Sequence, residues 1–308
     1  MTAVVLVAPT PAMSVTPADP AVAAVAPPPI AADPESGPAP EPGPTPDPGT
    51  ELDLQTEVDQ APSPNDAEAM LDAATAAVPD GVSAGVAVLD LQTGALAAGG
   101  TTQFFSASLS KLMLVVDMLD RDVPLSDTDR GWIVRALAVS DDNAMNALWT
   151  KFDGYNAMTR VAESLDMAGT KTTDDRSQWG EVIVTPAGFA RLYQHIMEEM
   201  ADDDKAIIVS ALGASEPRAA DGFDQYFGLL GGPVKAFAKQ GWMYYGSKLY
   251  LHSAGVVTNG ADNYVVVLMS AQQASTGPAR ANLSSIAQAV QSAMPSPMSA
   301  EARAQEMK

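Results

Sequence analysis

The sequence predicts a mixed α/β (α+β) domain in which one antiparallel sheet is formed from both ends of the domain, flanked by helices, with a helical lobe beside it. Three observations carry this expectation. A Val-rich hairpin pattern lies near residues 82–100, strand-like segments return only after Gly231-Gly232, and the stretch between them reads at helical spacing.

Taken in order, residues 65–78 set Ala, Met and Leu at helical spacing behind an Asn/Asp cap, and Pro79-Asp80-Gly81 stops the helix. Residues 82–91 form the first strand, Gln92-Thr93-Gly94 the turn, and the chain from Ala95 to Gly99-Gly100 the returning strand. Residues 107–120 place Leu109, Leu112, Met113, Val116 and Leu119 on a stripe wide enough to be buried on most sides, with Ser108 in the first turn. Further helices are expected over 126–137, 142–151, 155–167 and 186–200. Strands follow over 234–242, 247–258 and 263–269, and a last helix runs over about 279–294.

Composition sets the domain limits. Residues 1–64 hold 16 of the 24 prolines and nine acidic residues, with no aromatic residue, Lys or Arg. Proline locks φ and removes amide donors, so this stretch reads as a disordered, solvated Pro/Ala-rich linker. Residues 65–294 read as one domain and 295–308 as a polar tail.

A formal charge of −21 argues against nucleic acid, whose binding needs clustered Lys and Arg. The chain has no cysteine, and its two histidines, His195 and His252, have no partner at metal-binding spacing, so neither a metal nor a cofactor is expected. No run of 18 apolar residues could span a membrane, and an export signal would have to lie upstream of Met1 or be already removed.

Three segments could carry chemistry. Ser108-Leu109-Ser110-Lys111 is an S-x-x-K pattern, which on a helix puts a hydroxyl and an amine one turn apart on the same face. Burial would favour the neutral amine, which can take the serine proton. Alone the motif is weak, since Ser and Lys recur at this spacing about once by chance in a chain of this length, and a serine at a helix start also serves as an ordinary cap. Ser140-Asp141-Asp142, with Asn146 beyond it, opens a later helix, and Lys239-Gln240-Gly241-Trp242 lies on a late strand. A G-x-S-x-G match at Gly81-Val82-Ser83-Ala84-Gly85 is rejected, because that elbow needs a strand before it and a helix after it.

In this order, and with Thr185-Pro186-Ala187 opening a helix, these segments resemble those of the penicillin-recognising serine hydrolases, the class A β-lactamases and D,D-peptidases, over roughly residues 66–294. Within that family the chain is similar to actinobacterial cell-envelope proteins of the LppW type. The resemblance implies a β-lactamase/transpeptidase-like fold in a secreted or envelope-associated monomer, acting on a peptidoglycan D-Ala-D-Ala end or a β-lactam. Ser108 would be acylated, Lys111 would activate it, Ser140 would relay a proton, and Lys239 would attract the substrate carboxylate. Asp142, Gln240, Gly241 and Trp242 would line the substrate, and the backbone amides of Ser108 and Trp242 would form the oxyanion hole.

Three departures accompany the resemblance. Asp142 stands where the family has Asn, and Gln240 replaces a Thr or Ser. The family's water-activating Glu would fall near Gly169, and the nearby Asp174, Asp175 and Glu181 lack its spacing and read as a solvated loop. Slow deacylation is therefore expected, and the alternative is a catalytically weak or inactive cell-envelope binding protein that retains the β-lactamase fold. For His195 the expected role is structural. His252 and the aromatic run Trp242-Met243-Tyr244-Tyr245 are each left with two readings, site lining or ordinary packing.

Overall fold

The computed structural model describes residues 66–296. The expected linker over 1–64 and nearly all of the expected tail over 295–308 lie outside the described residues.

The domain opens with α1 (Asp66–Ala76), followed by the hairpin β1 (Ser83–Asp90) and β2 (Leu96–Gly100) and a two-residue strand β3 (Phe104–Phe105). A single 3-10 turn, Ala107–Leu109, leads into α2 (Ser110–Asp120). The helical lobe continues with α3 (Asp127–Ala138), α4 (Asp142–Lys151) and α5 (Gly154–Ser164), then a 3-10 turn at Trp179–Glu181 and β4 (Ile183–Val184). Next come α6 (Pro186–Glu198) and α7 (Asp202–Gly213), and the chain closes with β5 (Ala236–Tyr245), β6 (Lys248–Asn259), β7 (Asp262–Gln272) and α8 (Thr276–Ser292).

The sheet has the order β2-β1-β7-β6-β5, and every neighbouring pair is antiparallel. Chain-distant segments meet at β1 and β7, where Val86 faces Leu268 and Val88 faces Val266. Both faces of the sheet are covered, which is why its inner strands read as apolar runs rather than as alternation. Val86, Val88, Val266 and Leu268 pack with Met70 of α1 and Leu283 and Ile286 of α8. Ala87, Leu89, Val265 and Val267 pack on the opposite face with α2 and α6.

Helix α2 is the centre of this second core, with every residue from Ser110 to Leu119 buried. A helix enclosed on all sides cannot shift its first turn without repacking its neighbours, so the residues at its N-terminus are held firmly. The other helix starts follow capping chemistry. Ser126 and Asp129 form a reciprocal capping box on α3, and Thr185 caps α6 through a 3.0 Å bond from the Gly188 amide, with Pro186 in the first turn.

The architecture and the sheet composition match the expectation, with three differences. Helix α7 is additional to the expected helices, because its apolar residues include the consecutive run Ile207-Ile208-Val209 and do not trace a single face. The pair β3–β4, with Phe104 opposite Val184, is too short to give a periodic signal. Ser108 lies in a 3-10 turn ahead of α2 rather than in its first α-helical turn.

Candidate active site

The nucleophile candidate sits in a turn that is held from several sides. Ala107 adopts a left-handed conformation with φ of 47°, a cost of roughly 1–3 kcal/mol for a residue with a Cβ. The surroundings over-determine this conformation. The Ser106 amide donates to Val182 O at 2.7 Å, its hydroxyl reaches Trp179 O at 3.3 Å, and Ser110 Oγ donates to Ala107 O at 3.0 Å. Behind the turn, Nε2 of His252 donates to Phe105 O at 2.8 Å, and burial pushes this imidazole down to about 4, so it stays neutral. His252 is thus part of the support behind the site, not a residue of the cleft wall.

Lys111 points back under Ser108. Its Nζ lies 2.6 Å from Ser108 Oγ and 2.7 Å from Asp142 Oδ1, and it sits 4.3 Å from the centre of the Trp179 ring. The side chain is fully buried, and that burial lowers its pKa from the usual lysine value while Asp142 pulls the other way. In the neutral form, Nζ at this distance can accept the Ser108 proton.

Ser140 precedes α4 with φ of 54°, again left-handed, and Asp141 caps that helix by accepting from the amides of Asn143 at 2.8 Å and Ala144 at 3.3 Å. Asp141 is itself held by Arg135. Lys239, reaching across from β5, places Nζ 2.9 Å from Ser140 Oγ and 2.8 Å from Gln240 O. It is completely buried, and desolvation, together with the nearby Lys111, drives its pKa well below the ordinary lysine value. The structure therefore brings Ser108, Lys111, Ser140, Asp142 and Lys239 together, with the Lys239 amine buried behind Ser140 rather than exposed in the cleft.

On β5, the edge strand of the sheet, the remaining expected residues divide. Gly241 lies so close to the nucleophile turn that a Cβ there would meet Ser106 O at 3.2 Å and Leu109 Cγ at 3.3 Å. Trp242 lines the cleft, stacks on Phe223 with ring centres 4.6 Å apart, and donates its indole N–H to Asp221 at 2.9 Å. Gln240 departs from expectation. It is buried, and its amide nitrogen donates to Gln225 O at 2.9 Å and Phe227 O at 2.6 Å, so it fastens a loop instead of facing the substrate.

Above Ser108 opens a cleft of about 330 Å³, lined by Ser108, Asp142, Trp179, Glu181, Asp221 and Trp242 among others. Trp179, Asp221 and Glu181 carry no sequence signal as wall residues. They arrive on a 3-10 turn and a loop, and nothing in local spacing announces them. Position 169 could not carry the absent acid, because a Cβ at Gly169 would come within 2.8 Å of Thr185 Cγ2 and φ there is 83°. Asp174 and Asp175 are exposed outside the cleft lining. His195 bridges Asp120 of α2 and Glu199 beyond α6, at 2.9 and 2.8 Å, far along the helices from Ser108.

Comparison with known proteins bears on the family and the fold. The profile of a family described as "Beta-lactamase enzyme family" matches residues 130–294. A Mycobacterium bovis protein named "Putative lipoprotein LppW" is 32% identical over 227 residues, covering 70% of each chain, and a Mycobacterium tuberculosis protein of the same name gives the same values. A class A β-lactamase from Bacteroides cellulosilyticus superposes with a TM-score of 0.63 at 14% identity, over 76% of this chain and 99% of that one. A structure titled PBP-A superposes with a TM-score of 0.59 at 15% identity, over 73% and 95%. At those identities the two superpositions speak for the fold alone. No helix among the described residues is long and apolar enough to cross a membrane.

Proposed function

Since the chain belongs to the Beta-lactamase enzyme family, we propose that it is a serine hydrolase that forms an acyl-enzyme on Ser108. The observation that carries this reading is a buried lysine amine 2.6 Å from a serine hydroxyl at the wall of an open cleft.

In the proposed step, Ser108 Oγ adds to the carbonyl carbon of an amide or lactam while its proton passes to the neutral Nζ of Lys111. The carbonyl electron pair moves onto oxygen, where the backbone amides of Ser108 and of Trp242 on the edge strand stand as donors. Collapse expels the amine, which takes the proton that Lys111 accepted, relayed through the Ser140 hydroxyl that Lys239 holds in place, so that Lys111 returns to its neutral form. Water then hydrolyses the ester. The absence of an acid at position 169 makes that second half slow.

The donors implied by the family are a peptidoglycan peptide end and a β-lactam. The lipoprotein name of the mycobacterial relatives supports a place in the cell envelope. A second reading, a cleft that binds without turnover, is favoured by the carboxylate of Asp142 lying 2.7 Å from the base.

Intact-protein mass spectrometry after incubation with millimolar penicillin separates the two readings. An adduct on the wild-type chain that is missing in Ser108→Ala supports the enzyme, and an unmodified mass supports the binder.

A further inference from the structure

The base candidate Lys111 is closed in by a residue to which the steps above give no part. Its Nζ has hydrogen-bond partners in two directions, Ser108 Oγ at 2.6 Å and Asp142 Oδ1 at 2.7 Å. In a third it meets the ring of Trp179, whose centre lies 4.3 Å away. An ammonium has three N–H donors, so in the charged form the third is left to the ring face.

Trp179 is tethered through both its side chain and its backbone. The indole N–H donates to Asn146 Oδ1 of α4 at 2.9 Å, and the carbonyl accepts from the Ser106 hydroxyl of the nucleophile turn at 3.3 Å. The residue is half-buried and lines the cleft, while Lys111 is fully buried and does not. Together with Ser108 and Asp142, the indole separates the amine from the open cleft.

Two effects of such a roof oppose each other. A ring face attracts a cation, but it replaces only part of the hydration that an exposed ammonium enjoys. Burial is the largest influence on Lys111 and lowers its pKa, against the pull of Asp142 and Asp141 from α4 and of Asp221 from the loop before β5. Lys239 faces the amine from β5. The excluded water therefore outweighs the attraction of the ring, and a tethered indole excludes it without moving.

Resting on the acyl-enzyme reading, we propose that Trp179 is a positioning residue for acylation: its indole, tethered to α4 and to the nucleophile turn, roofs the Lys111 amine, keeps water off it and leaves it free to take the Ser108 proton. Asn146 acts through Trp179, as the anchor of the roof.

The titration of Lys111 is read directly by NMR of the full chain carrying isotope-labelled lysine, with the Lys111 Cε signal identified by its loss in Lys111→Met, so this readout does not depend on acylation. Trp179→Ala admits water to the amine, and the midpoint should rise by at least about one unit, which slows fluorescent-penicillin labelling roughly tenfold at a pH below the titration. Trp179→Phe keeps a ring and should stay within about 0.3 unit of the wild type. Trp149→Phe removes the indole bond to Arg176 O at 3.0 Å, a second tether of the same loop that lies away from the cleft lining, and should leave the midpoint where it is. Should Trp179→Ala not fold, Trp179→Val carries the same expectation. A midpoint that is unmoved or lower in the truncated variant, one that rises as far in Trp179→Phe, or one that rises as far in Trp149→Phe would each overturn the proposal. The expected titrations with no labelling even of the wild type would uphold the roof and remove the acyl-enzyme reading instead.

Discussion

Replacing Asp142 by Asn should accelerate acylation of Ser108, and the structure sets the size of the effect. The carboxylate lies 2.7 Å from the amine of Lys111, and its side chain is 62% exposed while the lysine is fully buried. Two unit charges about 4 Å apart attract by ~1 kcal/mol in water and ~4 kcal/mol at an effective dielectric of about 20. Exposure of Asp142 to solvent places the pair toward the lower figure, and about 1.4 kcal/mol corresponds to one pKa unit. Burial lowers the pKa of Lys111, and the Asp142 carboxylate holds it back up. Removing the carboxylate therefore lets the amine lose its proton about one unit lower, and at a pH below its titration the neutral fraction rises roughly tenfold. Acylation needs that neutral amine, so its rate climbs with pH through the Lys111 titration, and the midpoint of the climb should move down by about one unit in Asp142→Asn. The assay is a time course of fluorescent-penicillin labelling as a function of pH in wild type, Asp142→Asn and Ser108→Ala. A midpoint that stays put, or slower labelling at every pH, would show that the carboxylate is not suppressing the base. Labelling of Ser108→Ala would remove the nucleophile assignment itself.

Other outcomes follow from the same geometry. Gly241→Ala pushes a methyl against Ser106 O and Leu109, so it should lower stability by about 1–3 kcal/mol in denaturant melts and slow Ser108 labelling together. Steady-state nitrocefin hydrolysis should stay far below the roughly 10 s⁻¹ of a median enzyme, because position 169 carries no acid; turnover at that rate would mean another group activates water. The two histidines should give opposite pH dependences. Burial opposes the charge of His195, but hydrogen bonds to Glu199 and Asp120 hold its pKa above the usual 6.5, so its contribution is complete below 6.5 and is lost as the pH rises through the folded value. Urea melts of His195→Gln should show a deficit at low pH that vanishes at high pH. His252, pushed down to about 4, should make the fold less stable as the pH falls from 6.5 toward 4, and His252→Gln should flatten that acid limb.

Ser108, Lys111, Ser140 and Lys239 were legible through short ordered motifs, although only Lys111 and Lys239 lie within a regular helix or strand, with Ser108 in the 3-10 turn before α2 and Ser140 just ahead of α4. The Ser108–Lys111 spacing puts two side chains on one face of any helix, and the order of the three motifs along the chain fixed their assembly. Residues on irregular segments were not legible in this way. Glu181 reads as one more acid in a polar loop until Ser106 fastens that loop, through Trp179 O and Val182 O, against the nucleophile turn. Asp221 lies in an Asp-Gly turn whose local signal is complete without the cleft. For Gln240, a period of two puts it on the same side as Trp242, but it cannot say that the carbonyls of Gln225 and Phe227 come across to take its amide. Helix α7 failed for a different reason, since its β-branched run obscures the helical period although Asp202, Asp203 and Asp204 supply an acidic first turn.

The pairing of β1 with β7 also bears on how the site comes into being. Gly85 must find Met269, and the entire helical lobe is threaded between them. Contacts this distant in sequence are slow to form, because the loop-closure entropy is lost before the pairing returns any energy. The edge strand β5 is joined to β1 through β6 and β7 and also packs directly against the Ser108 turn, so the wall carrying Gly241 and Trp242 is itself a chain-distant contact of that turn. A partly folded chain can hold an intact α2, with Ser108 and Lys111 a turn apart, and still lack the surface against which a substrate is attacked. On the acyl-enzyme reading, reactivity at Ser108 is therefore expected only in the finished molecule.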